Sequence, residues 1–117
     1  MKDSCRILLT TLAVGGVLTL LSGWASLPDG ARSCAMSRVQ RLCDTFEEVC
    51  EDHRVTAASE EITAAEKKNG ITDKWCVRVD YIYRSANDDE YYDNYWGPRL
   101  VVERGGHWEV AERCRLP

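Results

Sequence analysis

The stretch KWCVRVDYIYR, from Lys74 to Arg84, decides the fold of this chain because its large apolar residues recur at every second position. One face of the stretch consists of Trp75, Val77, Val79, Tyr81 and Tyr83. The other face consists of Cys76, Arg78, Asp80, Ile82 and Arg84. This alternation is typical of a β-strand that lies with one side against a core. The sequence therefore predicts a strand here, within a sheet.

Two further strands are predicted downstream. They are RLVVER, from Arg99 to Arg104, and HWEVAER, from His107 to Arg113. Gly105 and Gly106 separate them, and a glycine pair tolerates positive φ at both positions of a two-residue turn. The two strands should therefore form an antiparallel hairpin that closes the sheet.

Upstream of the strands, the apolar period changes to that of a helix. The residues between Ser37 and about His53 carry one apolar stripe, which consists of Val39, Leu42, Cys43, Phe46, Val49 and Cys50. A second helix is predicted over Ala57 to Lys68, with Thr56 or Ser59 as its cap and Asn69-Gly70 as its end. Its few large apolar residues place it thinly on the surface.

These elements predict an α+β domain in which two helices pack on one face of a three-stranded antiparallel sheet, in the order α-α-β-β-β. Leu42, Phe46 and Val49 of the first helix should fill the apolar face of the sheet. Residues 37–117 would form this domain, and residues 28–36 a linker before it.

The N-terminal residues 1–27 have the pattern of an export signal. Lys2 and Arg6 precede an uncharged run from Ile7 to Pro28, and positive residues remain on the cytoplasmic side. The run fits a hydrophobic helix that is either a signal peptide cleaved after Ala25 or a transmembrane anchor, and both readings stay open. Its LLSG segment, Leu20 to Gly23, resembles the end of a bacterial lipoprotein signal, but Trp24 stands where the lipidated cysteine would be.

Six cysteines in 117 residues indicate an oxidising compartment and a domain stabilised by disulfides. Cys43 and Cys50 on the first helix and Cys76 and Cys114 at the strand ends are the candidates, through bonds from helix to sheet. Cys34 would then be the spare thiol. Because Cys76 lies on the polar strand face, either the strand is irregular at its start or Cys76 pairs with Cys114. Free thiols and a metal site are less favoured, because no C-x-x-C pair occurs.

From Trp75 to Cys114 the pattern resembles the closing strands of NTF2-like and cystatin-like domains, on the evidence of GGHWEV, residues 105–110. Such domains hold a ligand in a concave sheet face or hold nothing. The resemblance therefore implies a candidate pocket. Its lining would be Trp75, Tyr81, Tyr83 and Trp108.

The charge and the motifs exclude several classes of function. The net charge is -4, and no basic run occurs, so a nucleic-acid partner is not expected. No nucleophile elbow, zinc-protease motif, phosphate loop or dinucleotide fingerprint is present, so we expect a protein that is not an enzyme and has no cofactor or metal. His53 and His107 are read as a helix-end residue and an exposed hairpin residue.

The stretch NDDEYYDNYWGPR, from Asn87 to Arg99, combines four carboxylates with four aromatic rings. Turn residues flank it, so the first reading is a solvated loop between strands. Its rings could instead bind another protein, because tyrosine and tryptophan are enriched at interface hot spots. The interface candidates are Tyr91, Tyr92, Tyr95 and Trp96. The carboxylates lack the spacing of a calcium loop.

Together these features predict a small exported or membrane-tethered protein of the cell envelope, on its periplasmic or extracellular side, that binds an unidentified envelope protein without catalysis. Contact with the membrane would run through the N-terminal segment if it is not cleaved. The alternative is a small-ligand-binding domain that uses the aromatic face of the sheet.

Overall fold

The computed structural model describes residues 4–5, 26–87 and 89–117. In chain order the elements are β1 (Ser4–Cys5), α1 (Asp29–Thr45), β2 (Glu48–Ser59), α2 (Ala64–Lys68), β3 (Ile71–Ser85), β4 (Tyr92–Arg104) and β5 (His107–Arg113). The predicted α+β class is confirmed, but the predicted number and order of the elements are wrong.

The sheet has four long antiparallel strands in the spatial order β5-β4-β3-β2, and the two residues of β1 pair with the outer edge of β5. The predicted strand from Lys74 to Arg84 lies within β3, at the centre. HWEVAER is β5 as predicted, and Gly105 and Gly106 both have positive φ in the turn before it. RLVVER is only the second half of β4. The stretch predicted to be a connecting loop forms most of the first half.

The strand β2 replaces the end of one predicted helix and the start of the other. The helix predicted to run to about His53 ends at Thr45, and Glu47 follows with a φ of 54°. Beyond it, Glu48 to Ser59 alternates between more and less exposed positions and pairs with β3 from Ser85 back to Trp75. From Trp75 to Ser85 the backbone of β3 gains a hydrogen-bonding partner in this way, which a helix could not supply.

The helix α1 begins at Asp29, so the predicted linker over residues 28–36 is wrong. A buried stripe runs along α1, and it consists of Ala31, Cys34, Ala35, Val39 and Cys43, each with 0% exposure. Most of these side chains are small, which lets the helix lie close to the sheet. A side chain on Gly30 would overlap the indole of Trp108. Small residues carry a weak hydrophobic pattern, which does not distinguish the first half of this helix from a linker.

The second helix is shorter than predicted but lies where it was expected. Residues 57–59 belong to β2, and α2 covers only Ala64–Lys68. Thr63 caps it, because its hydroxyl accepts from the Glu66 N–H at 3.1 Å while the Glu66 carboxylate accepts from the Thr63 N–H at 2.9 Å. The helix ends at Asn69-Gly70 as predicted, and none of its residues is buried.

All four candidate cysteines are disulfide-bonded, but the bonds are Cys43–Cys50 and Cys76–Cys114, so the predicted bonds from the first pair to the second are wrong. The first joins α1 to β2, since Cys50 lies in a strand and not in the helix. The second is the pairing expected if Cys76 faces away from the core helix. Cys34 is also disulfide-bonded, so its prediction as a spare thiol is wrong. Disulfides of this density indicate an oxidising compartment.

The core lies between α1 and one face of the sheet. It includes Trp75, Val77 and Val79 as predicted, together with Trp96, Val101, Trp108 and Val110. Leu42, Phe46 and Val49 do not fill the sheet, because they are 38%, 64% and 39% exposed. The predicted packing is wrong there, because the helix ends at Thr45 and its buried stripe from Ala31 to Cys43 does the packing instead.

The predicted signal peptide or anchor, residues 1–27, falls almost wholly outside the described residues; of it, Leu27 packs in the core. Within residues 26–87 and 89–117, neither helix has the length and apolar character that crossing a bilayer requires.

Candidate functional site

The four residues proposed as an interface separate into exposed and buried members. Tyr91, Tyr92 and Tyr95 are 58%, 42% and 53% exposed. Trp96 is only 7% exposed and lies in the core, opposite Val79 in the sheet register. Three rings of the predicted interface are therefore available at the surface, and the fourth stabilises the fold.

The residues proposed to line a ligand pocket also separate. Trp75 and Trp108 are 5% and 6% exposed, and both belong to the core that α1 covers. The Trp75 indole N–H donates to Asp73 Oδ1 at 2.9 Å. Tyr81 is 4% exposed and belongs to the same core, whereas Tyr83 is half-buried and packs against it. The structure therefore does not bring these four rings together around one pocket.

Instead, rings from three strands follow one another at the end of the sheet that α1 leaves partly open. His53 stacks on Tyr81 with ring centroids 6.2 Å apart, and Tyr81 lies 6.4 Å from Tyr83. Tyr83 lies 5.5 Å from Tyr92, its partner in the register of β3 and β4. His53 lies at an irregularity of β2, between Glu51 and Arg54, where the register with β3 shifts. Ring pairs at these distances are mutually stabilising.

Phe46, the only phenylalanine of the chain, is the most exposed large apolar side chain beside these rings. It lies in the turn between α1 and β2, and its N–H donates to the Leu42 carbonyl at 3.1 Å. The Cys43–Cys50 disulfide closes this turn. The sequence pattern predicted Phe46 as a core residue, because its spacing from Leu42 and Cys43 fits a helix that continues past Thr45.

A depression of about 280 Å³ lies between the end of α1 and the sheet. It connects the exposed apolar residues of α1 with the tyrosines. Its lining is Leu42, Phe46, Glu48, Tyr81, Asn94 and Tyr95. We call the following four residues the aromatic surface: Leu42, Phe46, Tyr83 and Tyr92.

Polar and charged groups border the aromatic surface. The Tyr92 hydroxyl donates to Glu90 Oε2 at 2.9 Å. On the opposite face of the sheet, the Arg78 guanidinium lies 4.2 Å from the centre of the Tyr95 ring. Burial, and then the negative charge of Glu48, raises the pKa of the Tyr81 hydroxyl. An apolar centre with a polar rim is the usual anatomy of a protein–protein interface.

The two histidines have different surroundings. His53 lies against Tyr81 in the row of rings, and His107 is exposed at the start of β5. In the part of the chain that the structure describes, no three His, Cys, Asp or Glu side chains come together to hold a metal ion. The expectation that the protein is not an enzyme stays a prediction.

Comparisons with known proteins give no relative for this chain. No family model, no curated protein and no solved structure matches it. The resemblances to NTF2-like and cystatin-like domains and to a bacterial lipoprotein signal therefore stay predictions.

Proposed function

We propose that this protein is a non-catalytic protein-binding module and that its aromatic surface is the binding site. One observation carries the proposal: Phe46 is 64% exposed although the turn around it is closed by a disulfide. A large apolar side chain that stays exposed adds no burial energy to the stability of the fold. It contributes to binding when a partner covers it.

The free energy gained by burying the apolar side chains of this surface is enough to hold a protein partner. Covering one large apolar side chain stabilises a complex by about 1.5 to 3 kcal/mol. Leu42 is 38% exposed and Tyr92 is 42% exposed. A few such residues at the centre of an interface supply most of its binding free energy.

The turn that carries Phe46 is fixed before any partner arrives. The Cys43–Cys50 disulfide bridges it. In addition, the Glu47 carbonyl accepts a hydrogen bond from the Ala86 N–H at 3.3 Å, which ties the turn to the end of β3. Little conformational entropy is lost when a fixed side chain is covered, so more of the burial energy remains as affinity.

The shape of the surface favours a protein over a small ligand. Pockets for small molecules usually enclose about 300 to 1,000 Å³. The depression beside Tyr81 measures about 280 Å³, at the lower limit of that range, and the exposed Phe46 contributes to its lining. A hollow of this size fits one inserted side chain of a partner, while the projecting Phe46 enters a pocket on that partner.

The compartment follows from the disulfides. Bonds such as Cys76–Cys114 persist only under oxidising conditions. We place the protein in the cell envelope, on its periplasmic or extracellular side, secreted or tethered through its N-terminal segment, and its partner among the proteins of that compartment. The positive residues ahead of the uncharged run from Ile7 to Pro28 support this placement.

Affinity capture from an envelope extract tests the proposal. Leu42→Ser and Val49→Ser form a matched pair, because the two side chains are 38% and 39% exposed. Val49 precedes Cys50 in β2, so its side chain points to the sheet face opposite α1. We expect Leu42→Ser and Phe46→Ser to lose the same captured protein and Val49→Ser to retain it. Equal loss or equal retention by all three variants would contradict the proposal.

A further inference from the structure

The first half of β4 has an open edge. Between Tyr92 and Trp96 it pairs with β3 on one side, whereas β5 pairs with β4 only from Arg99 to Arg104. The hydrogen bond from the Cys114 N–H to the Pro98 carbonyl, 3.3 Å, is at the limit of this cover. In the described part of the chain, no strand lies beside residues 92–96 on the outer side.

The backbone at this edge is accessible. Residues 92–95 are all exposed. The Tyr95 N–H donates to the side-chain oxygen of Asn94 at 2.9 Å, in the absence of a neighbouring strand on that side among the described residues. A strand edge of this kind is a template for another strand, because its backbone donors and acceptors are spaced for antiparallel pairing.

One end of the edge is basic, although the chain as a whole is acidic. A groove of about 590 Å³ follows the edge where β5 ends, and it is lined by Arg78, Arg99 and Arg113. Arg78 also lies over the Tyr95 ring at 4.2 Å and forms an ion pair with Asp80 at 2.9 Å, so Arg99 and Arg113 give this end its basic character. These arginines come from three different strands, so no basic run in the sequence predicts the groove.

The other end of the same edge is acidic. Asp93 lies within β4, opposite Ile82, and Asp89 lies in the loop that precedes the strand. A single strand edge therefore has acidic groups towards its start and basic groups towards its end. When two such edges run antiparallel, the acidic end of each lies beside the basic end of the other.

We propose that two copies of this chain pair through their β4 edges, antiparallel, about a two-fold axis near Asn94. In this register Asp93 of one copy lies opposite Tyr95 of the second copy, and the guanidinium of Arg78 rests on that ring. Asp89 reaches the end of the groove where Arg99 lies. The interface is isologous, so each charge pair occurs twice. It joins the two sheets into one continuous sheet.

Pro98 limits the length of the pairing. Proline has no N–H to donate, and residues Gly97 and Pro98 stand against one residue, Arg78, in the register with β3. The shared segment is therefore confined to residues 91–97, about seven residues centred on Asn94. This pairing uses backbone at the edge and does not rest on the proposed role of Phe46.

Sedimentation equilibrium of the disulfide-intact protein tests the pairing, over a concentration series that reaches about 1 mM. We expect a monomer–dimer equilibrium. Asp93→Arg and Arg78→Asp should each weaken the dimer about tenfold or more, because like charges then meet twice. The double variant Asp93→Arg/Arg78→Asp should recover most of the dimer. Phe46→Ser should dimerise as the native protein does.

A protein that is monomeric at every concentration, or a dimer that neither charge reversal weakens, overturns the proposal. A dimer lost in Phe46→Ser but kept in the charge-reversed variants also overturns it, since the aromatic surface would then be the contact. If Arg78→Asp does not fold, amide hydrogen exchange of the native protein decides. Slower exchange at Asp93 and Tyr95 with rising concentration supports the pairing, and unchanged exchange there contradicts it.

Discussion

Cys43, in the last turn of α1, is bonded to Cys50, near the start of β2, with the two Cα atoms 6.3 Å apart. The bond encloses the turn in which Phe46 is exposed. The same disulfide therefore attaches the helix to the sheet and fixes the direction in which the candidate binding residue projects.

The Cys76–Cys114 and Cys43–Cys50 disulfides should contribute differently to stability and to binding. The Cys76–Cys114 bond spans 38 residues and the Cys43–Cys50 bond spans 7. Loop-closure entropy predicts a loss of about 4 kcal/mol for the double serine variant of the first and about 2 kcal/mol for that of the second. Urea unfolding measures both. Only the Cys43→Ser/Cys50→Ser variant should also lose the captured partner, because only it frees the turn at Phe46.

Cys34 should resist alkylation in the native protein. It is 0% exposed and disulfide-bonded. Mass spectrometry of tryptic peptides after treatment with iodoacetamide should find no label on Cys34 under denaturing, non-reducing conditions and full label after reduction. Label on Cys34 before reduction would mean that it is a free thiol. Cys76, which is bonded to Cys114, is the internal control.

Tyr81 should ionise later than the exposed tyrosines. Burial, followed by the charge of Glu48, raises the pKa of Tyr81 from its ordinary value of 10.0. The folded state favours the neutral form of the Tyr81 hydroxyl. The contribution of this group to stability is therefore complete below pH 10.0 and is lost as the pH rises through the folded pKa. Spectrophotometric titration of the phenolate band measures this, and Tyr81→Phe should remove the last component. Glu48→Gln should move that component to lower pH.

The capping box of α2 should make stability depend on pH in the acid range. The Thr63 N–H, followed by Lys74 at 3.1 Å, lowers the pKa of Glu66 from its ordinary value of 4.5. The stabilisation is therefore present above pH 4.5 and is lost as the pH falls through the lower, folded pKa. At neutral pH the native protein should have a larger free energy of unfolding than Glu66→Gln. This difference should shrink on acidification. A constant difference would contradict this. Thr63→Ala should cost about 1 kcal/mol at neutral pH.

The sequence predicts the closing half of the fold well because period and turn chemistry agree there. Val77 to Ile82 alternate in burial as the pattern requires, and Gly105-Gly106 forms the expected turn. Around Cys43 and Cys50 the same patterns fail. Seven residues separate the two cysteines, a spacing that equals two helical turns and also fits a helix that turns back into a strand. Only the pairing with β3 decides between these alternatives, and that contact is distant in sequence.

The candidate site is only partly readable from the sequence for a related reason. Tyr92 and Tyr95 were predicted as interface residues and are exposed. Phe46 was missed, because an apolar residue at helical spacing is normally buried. The arginine groove beside β4 was missed as well, since its residues come from three strands and meet only through the sheet register. Sites assembled from distant segments leave no local pattern.

Photocrosslinking in cells tests the central claim, that Phe46 contacts a partner protein, most directly. A photoreactive phenylalanine at position 46 should give one discrete adduct, which weakens when Tyr92→Ser is added across the aromatic surface. The same group at position 49, on the opposite sheet face, should not give that adduct. No adduct at position 46, or the same adducts from positions 46 and 49, would contradict the account.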